Sequence, residues 1–485
     1  MTCGACALAA LLSALLSACS TNAIVVAPIV DVPTNTSASP SPIDTLLLEV
    51  AHAGADTDLV SETFSPSQTI ELSGVPFADD LVIHMTGSVG QSEVAYGRTC
   101  SPLAVSATEQ PASPHLFFSR SVKFGYLALT PLPRVDGNAL PDQIGAGLFI
   151  GGVDPASNAP VTAIERFDPD TAELSQIGAV QPRIGAVAAQ LGSGTAEVTA
   201  LVGGIDAASE QPAAYVEIID PTQPPGSVVA ELADAGTART NLTATALSSG
   251  DVLAVGGMVN GAPSSAVDDI SLEDGSPSAV VLRATLATPR YNHTATRLGD
   301  DEGAPVLVVG GVDIDGAAIP TAELYKPLSE EFSATFAENT MVVPRSRHQA
   351  VRMPDNSVLV IGGVDTTGAP TDTLELFSLD AGFVSVGQLP ATAGLLDLAV
   401  TTLPDGRVLM TGGRRADGDD PLDTAFIASL DPIDGSVDVV ATDNLSVPRA
   451  GHQATLLCDG TVLISGGTAT AVTAERYNPP ATGRR

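Results

Sequence analysis

The 485-residue chain has no tryptophan, and aromatic residues make up only 4% of it, although hydrophobic residues reach 44%. A folded core must therefore be built from Val, Leu, Ala and Ile. Cations are scarce as well: Lys and Arg number 21 against 56 Asp and Glu, for a net charge of −35. Such a surface repels phosphate backbones and anionic headgroups, which excludes nucleic acid as a partner. It favours solubility and leaves room for cations or basic partners. Beyond residue 19 no stretch is long and apolar enough to span a bilayer. No G-x-S-x-G, H-E-x-x-H, P-loop or dinucleotide fingerprint stands in a suitable context.

What is present begins with a leader. Residues 1–19, MTCGACALAALLSALLSAC, are small, apolar and uncharged, which marks a targeting segment. The run lacks the basic residue that usually precedes such a segment. It ends in Leu16-Ser17-Ala18-Cys19, which resembles a bacterial lipobox. That resemblance implies cleavage before Cys19 and thioether attachment of lipid to its thiol, and two or three acyl chains anchor durably. An ordinary secretory peptide is the alternative. With Cys3 and Cys6 removed and Cys19 lipidated, Cys100 and Cys458 remain of the five cysteines, and spacing does not establish a bridge between them. Residues 20–42, rich in Ser, Thr and Pro, read as a flexible linker. Residues 43–122 carry short strand-like runs such as TLLLEVA and DLVIHMTGSV, which predict a small β-sandwich of immunoglobulin-like type. An irregular β-extension is the other possibility.

The rest of the chain, 123–485, is a repeat. Short apolar runs close on Gly151-Gly152, Gly203-Gly204, Gly256-Gly257, Gly310-Gly311, Gly362-Gly363, Gly412-Gly413 and Gly466-Gly467, spaced by 50–54 residues. Around the fifth pair four strand-like runs lie between turn residues, enough for a small antiparallel sheet. The second run, VLVI, is apolar throughout, as expected of a strand covered on both faces. The glycines that end it fit a backbone of positive φ or close approach. Each unit therefore reads as one blade of a propeller.

These residues resemble kelch repeats, and more closely the kelch-type propellers of bacterial envelope proteins. The pattern is Pro344-Arg345 with His348, then Gly362-Gly363, then Glu375-Leu376-Phe377; other copies give Glu165-Arg166-Phe167, Glu323-Leu324-Tyr325 and Glu475-Arg476-Tyr477. The outer-strand Trp usual in the family is missing, and the third and sixth units have Ile270 and Ala428 where the Glu is expected. The fold expected is all-β: a seven-bladed kelch propeller preceded by the small sandwich. The last unit supplies only three strands, so 124–130 (FGYLALT) is expected to complete its sheet and hide both edges.

Three histidines, His293, His348 and His452, each follow a repeated Arg by three positions. A shared phase spreads them over different blades, which favours a structural role over a metal site. The Arg series (134, 183, 239, 290, 345, 449) and the Glu series (165, 217, 323, 375, 475) predict ion pairs that fix blade packing. Copper radical oxidases related to this fold need two His, two Tyr and a Tyr-linked Cys. Here Tyr215, Tyr325 and Tyr477 belong to third strands, and Cys458 is the one propeller cysteine, so no catalytic residue, metal or cofactor is expected. The acidic runs 312–316 and 417–423 do not complete a calcium loop.

The resulting expectation is a monomeric, lipid-anchored protein of the bacterial envelope, in the outer membrane. Its propeller would bind or scaffold an envelope protein or glycan through variable loops at one mouth, with Arg414, Arg415, Asp417, Asp419 and Asp420 as candidate contacts. The alternative is an enzyme acting on envelope or extracellular glycans through carboxylates in the same loops.

Overall fold

Sheets built from consecutive antiparallel strands dominate the computed structural model. It describes residues 23–479 apart from 56, 101, 107–112, 128, 224–226, 233–237, 274–275, 282–283, 335–339 and 468–472, so the leader and Cys19 lie outside the described residues. Among the described residues there is no α-helix, only two single-turn 3-10 segments. Among the described residues no helix is long and apolar enough to cross a membrane. The chain divides into two compact units at Ser121/Val122. Cys100 in the first and Cys458 in the second are each disulfide-bonded.

The first unit is organised on a six-stranded sheet whose longest strand is Ala78–Val89. Thr45–His52 alternates along this sheet, placing Leu46, Leu48 and Val50 in the core with Leu81, Ile83 and Met85. Only two-stranded ribbons accompany it among the described residues, so the layers are unequal rather than a matched pair of sheets. Part of the expected linker belongs to this unit. Ala23–Val26 pairs with Leu72–Pro76, and Ile29–Asp31 pairs in parallel with His115–Phe117. Ala38 is fully buried, and Arg120 donates to the carbonyls of Ser39 and Ser41. Residues 23–42 are therefore not a free tether. Their β-branched runs are short, but each finds a partner strand distant in sequence.

The second unit contains, among the described residues, seven four-stranded antiparallel sheets. Their second strands, for example Val306–Val309 and Val358–Ile361, are buried at every position except Val198, the half-buried first residue of Val198–Val202. First strands touch in cyclic order: Asn138–Pro141 meets Val187–Leu191 on one side and Gln453–Leu456 on the other. The seventh sheet takes its outer strand from the start of the unit, with Lys123–Tyr126 paired to Glu475–Asn478 and Phe124 opposite Tyr477.

Repeated polar residues hold neighbouring sheets together. Every one of the fourteen paired glycines has positive φ. In six of the seven junctions the second glycine donates its N–H to the carbonyl of the next sheet's arginine or its substitute, including Gly467 to Arg134. Each arginine reaches back to the third strand of its own sheet: Arg134–Glu165 at 2.5 Å, Arg290–Glu323 at 2.7 Å, Arg345–Glu375 at 2.5 Å and Arg449–Glu475 at 3.0 Å. Arg183–Glu217 does the same. The carboxylates also accept backbone N–H groups of the entering loop, such as Val342 and Val343 onto Glu375. In the third sheet Asp268, not Ile270, stands opposite Ala254 and pairs with Arg239. In the sixth, Phe426, not Ala428, holds the equivalent position opposite Met410, and Leu395 replaces the arginine. There the buried ion pair has become a buried apolar pair.

Candidate functional site

The site is built from the residue two places after each repeated arginine, or after Leu395 in the sixth sheet, where the chain turns into the innermost strand. These residues are Asp136, Gly185, Asn241, Asn292, Arg347, Asp397 and Gly451, with φ between 53° and 70°. Asp, Asn and Gly tolerate this left-handed conformation, whereas Arg347 is an uncommon occupant. Backbone hydrogen bonds link them from sheet to sheet: Asn292 to Asn241 (3.3 Å), Arg347 to Asn292 (3.2 Å), Gly451 to Asp397 (2.8 Å) and Asp136 to Gly451 (2.9 Å). They form a polar belt at the mouth bearing the glycine pairs.

Its side chains are fixed unevenly. Asn241 Nδ2 donates to Asn292 Oδ1 at 2.6 Å. Arg347 grips Asp417 through both terminal nitrogens, at 2.8 and 3.0 Å, and touches Asp397 at 3.4 Å. Arg414 pairs with Asp397 at 2.9 Å. Asp136 has no side-chain partner among the described residues. Although the residue is exposed, partial desolvation, then Asp397, raises its carboxyl above the usual range, while Arg414 and Arg347 pull the other way.

Of the loop residues expected at the mouth, Arg414 and Asp417 join this network. Arg415 turns back to donate to the Ala393 carbonyl at 2.8 Å, and Asp419 and Asp420 are exposed and outside it. Asp136, Asn241, Asn292, Arg347 and Asp397 escape sequence reading because their identity changes from sheet to sheet. The shared signal, Asp, Asn or Gly two places after the arginine, fails at Arg347 and at Asp397, which follows Leu395. Asp313, in the first acidic run, accepts the N–H groups of Asp315 and Ala317, a turn-holding role.

The three histidines lie in different sheets, each bonded to a threonine of the preceding sheet: His293 to Thr243 (3.1 Å), His348 to Thr294 (2.9 Å) and His452 to Thr411 (2.8 Å). Burial, reinforced by the adjacent Arg290, Arg345 and Arg449, pushes each imidazole down to about 3. Unfolded, they would protonate below ~6.5. The unfolded chain therefore binds protons that the folded chain refuses, and stability present above pH 6.5 falls away between 6.5 and 3. Each histidine costs roughly 1.4 kcal/mol per pH unit in that window. Sheets three and six carry Leu242 and Leu398 at this position, both buried. His348→Leu is accordingly expected to flatten the acid limb of a stability–pH curve by one proton. An unchanged slope would contradict the neutral buried imidazole.

The donor set of a copper radical oxidase does not fit this geometry. Cys458 is in a disulfide, and the histidines are spread over three sheets. Among the described residues no group of three His, Cys, Asp or Glu is placed to hold a metal.

No protein-family model and no curated protein matches the chain. Solved structures do. YjhT is similar at 14% identity with a TM-score of 0.43, over 72% of this chain and 95% of that one. A fungal alcohol oxidase of the AA5 family, in complex with copper, is similar at 15% identity with a TM-score of 0.52, over 74% of this chain and 77% of that one. The second likeness, with the sheets described above, gives the class: an all-β fold of β-propeller type. At 15% identity it carries fold and no chemistry.

Proposed function

We propose that the chain is a seven-bladed, kelch-type propeller, anchored in the bacterial envelope through lipid on Cys19. Its glycine-pair mouth binds an envelope protein or glycan. The polar belt carries this reading. Left-handed residues, two arginines and three carboxylates converge where the loops vary, and none of these side chains is used in the buried pairs within the sheets. The protein works as a monomer, without cofactor, in the outer membrane.

The anchor is tested separately. Cys19→Ser should abolish lipid labelling and release the protein from the membrane fraction, whereas unchanged labelling and fractionation would remove the anchor from the account. One observation favours a second reading, a glycan-acting enzyme: the carboxyls of Asp136 and Asp397 are close enough to influence each other. Asp136 is raised, and Asp397 beside it is ion-paired with Arg414 and Arg347, which puts a candidate proton donor next to a fixed carboxylate. Cleavage of an envelope glycan, lost in Asp136→Asn with the fold intact, would replace binding by catalysis.

A further inference from the structure

We propose that the mouth receives a cationic side chain, a guanidinium or primary ammonium of a basic polypeptide segment, with Asp136 as its receptor. This deepens the binding reading above and rests on it. Asp136 stands between the two belt positions that have no side chain, Gly451 on one side and Gly185 on the other. A Cβ on Gly185 would meet nothing within 4 Å, so that flank is open. A Cβ on Gly451 would lie 2.7 Å from Asp136 Oδ1, so the carboxyl group leans into the space that glycine leaves. The result is a notch with one carboxyl group at its centre.

Asp136 is exposed on this flank and makes no side-chain hydrogen bond to a described residue, and Arg414 and Arg347 act on it only through space. Arg347 is held bidentately by Asp417, and Arg414 by Asp397. Two cations thus face two anions, and Asp136 is the third carboxylate. A bound cation would supply its missing counter-charge and the hydrogen-bond donors that no described residue provides. The net charge of −35 attracts basic partners at long range and repels acidic ones. A divalent ion would need further oxygen ligands, and Asp397 and Asp417 are already engaged by arginines. A side-chain cation needs only one carboxylate and the neighbouring carbonyls.

Asparagine already occupies the equivalent position at Asn241 and Asn292, so Asp136→Asn is expected to fold. The test is calorimetric titration of the full chain with blocked tetra-arginine peptide at low and at physiological salt. Asp380→Asn, an exposed turn residue of the fifth sheet, serves as the charge-matched control. The expected result is tenfold or greater weakening in Asp136→Asn and no change in Asp380→Asn. Equal weakening in both variants would mean diffuse attraction and overturn the proposal, as would a preference for calcium chloride over the peptide. Absence of peptide binding, while an envelope ligand is still lost in Asp136→Asn, would overturn the cationic class and leave the mouth as a binding surface.

Discussion

Arg345→Ala is expected to cost about 3–5 kcal/mol of stability, read as a lowered urea midpoint. The guanidinium and the Glu375 carboxylate are both 0% exposed, so removing one strands the other charge without water. Further bonds go with it, from Arg345 Nη1 to the carbonyls of Gly362 (3.1 Å) and Thr373 (2.7 Å). The chain itself supplies the compensating design. In the sixth sheet Leu395 and Phe426 occupy the two positions and are 3% and 5% exposed. Arg345→Leu combined with Glu375→Phe should therefore recover more than half of the loss, because replacing both partners removes the buried charges altogether. A double variant no better than the single would show that the pair contributes directional bonds which apolar packing cannot replace.

Gly310→Ala is expected to be at least as damaging, roughly 3 kcal/mol or more with reduced soluble yield. Its φ is +63°, which alone costs an alanine about 1–2 kcal/mol. The added Cβ would also lie 2.5 Å from the Arg345 carbonyl oxygen and 2.8 Å from His348 Cε1. Both belong to the next sheet, so relief means moving one sheet away from another. Gly316→Ala separates the two causes. It has φ of +79° and nothing within 4 Å of its Cβ, so only the backbone strain of about 1–2 kcal/mol should appear. Equal losses in the two variants would contradict the close approach between sheets.

Much of the frame was legible in the sequence because the frame repeats. Gly310-Gly311 could be read from its copies, and so could the arginine and glutamate series that the structure joins as ion pairs. Register was not legible. Ile270 and Ala428 lie two residues beyond Asp268 and Phe426, on the same face of their strands, and only strand pairing separates these choices. Composition misled at 23–42, where Ser, Thr and Pro concealed two short strands whose partners lie at 72–76 and 115–117. The belt stayed hidden for a different reason. Asp136, Arg347 and Asp397 share a backbone conformation and a place in the ring, not a side chain. Sequence repetition reports what every sheet must keep, while a binding mouth is where sheets are free to differ.

Recognition at the mouth is tested by capturing partners from envelope extract with the full chain, comparing wild type with mouth variants. A stoichiometric partner is expected to be retained by wild type, by Asp380→Asn and by Arg414→Ala, which removes a competing cation, but lost in Asp136→Asn. A partner held equally by all four would place recognition elsewhere on the molecule and contradict the mouth as its binding surface.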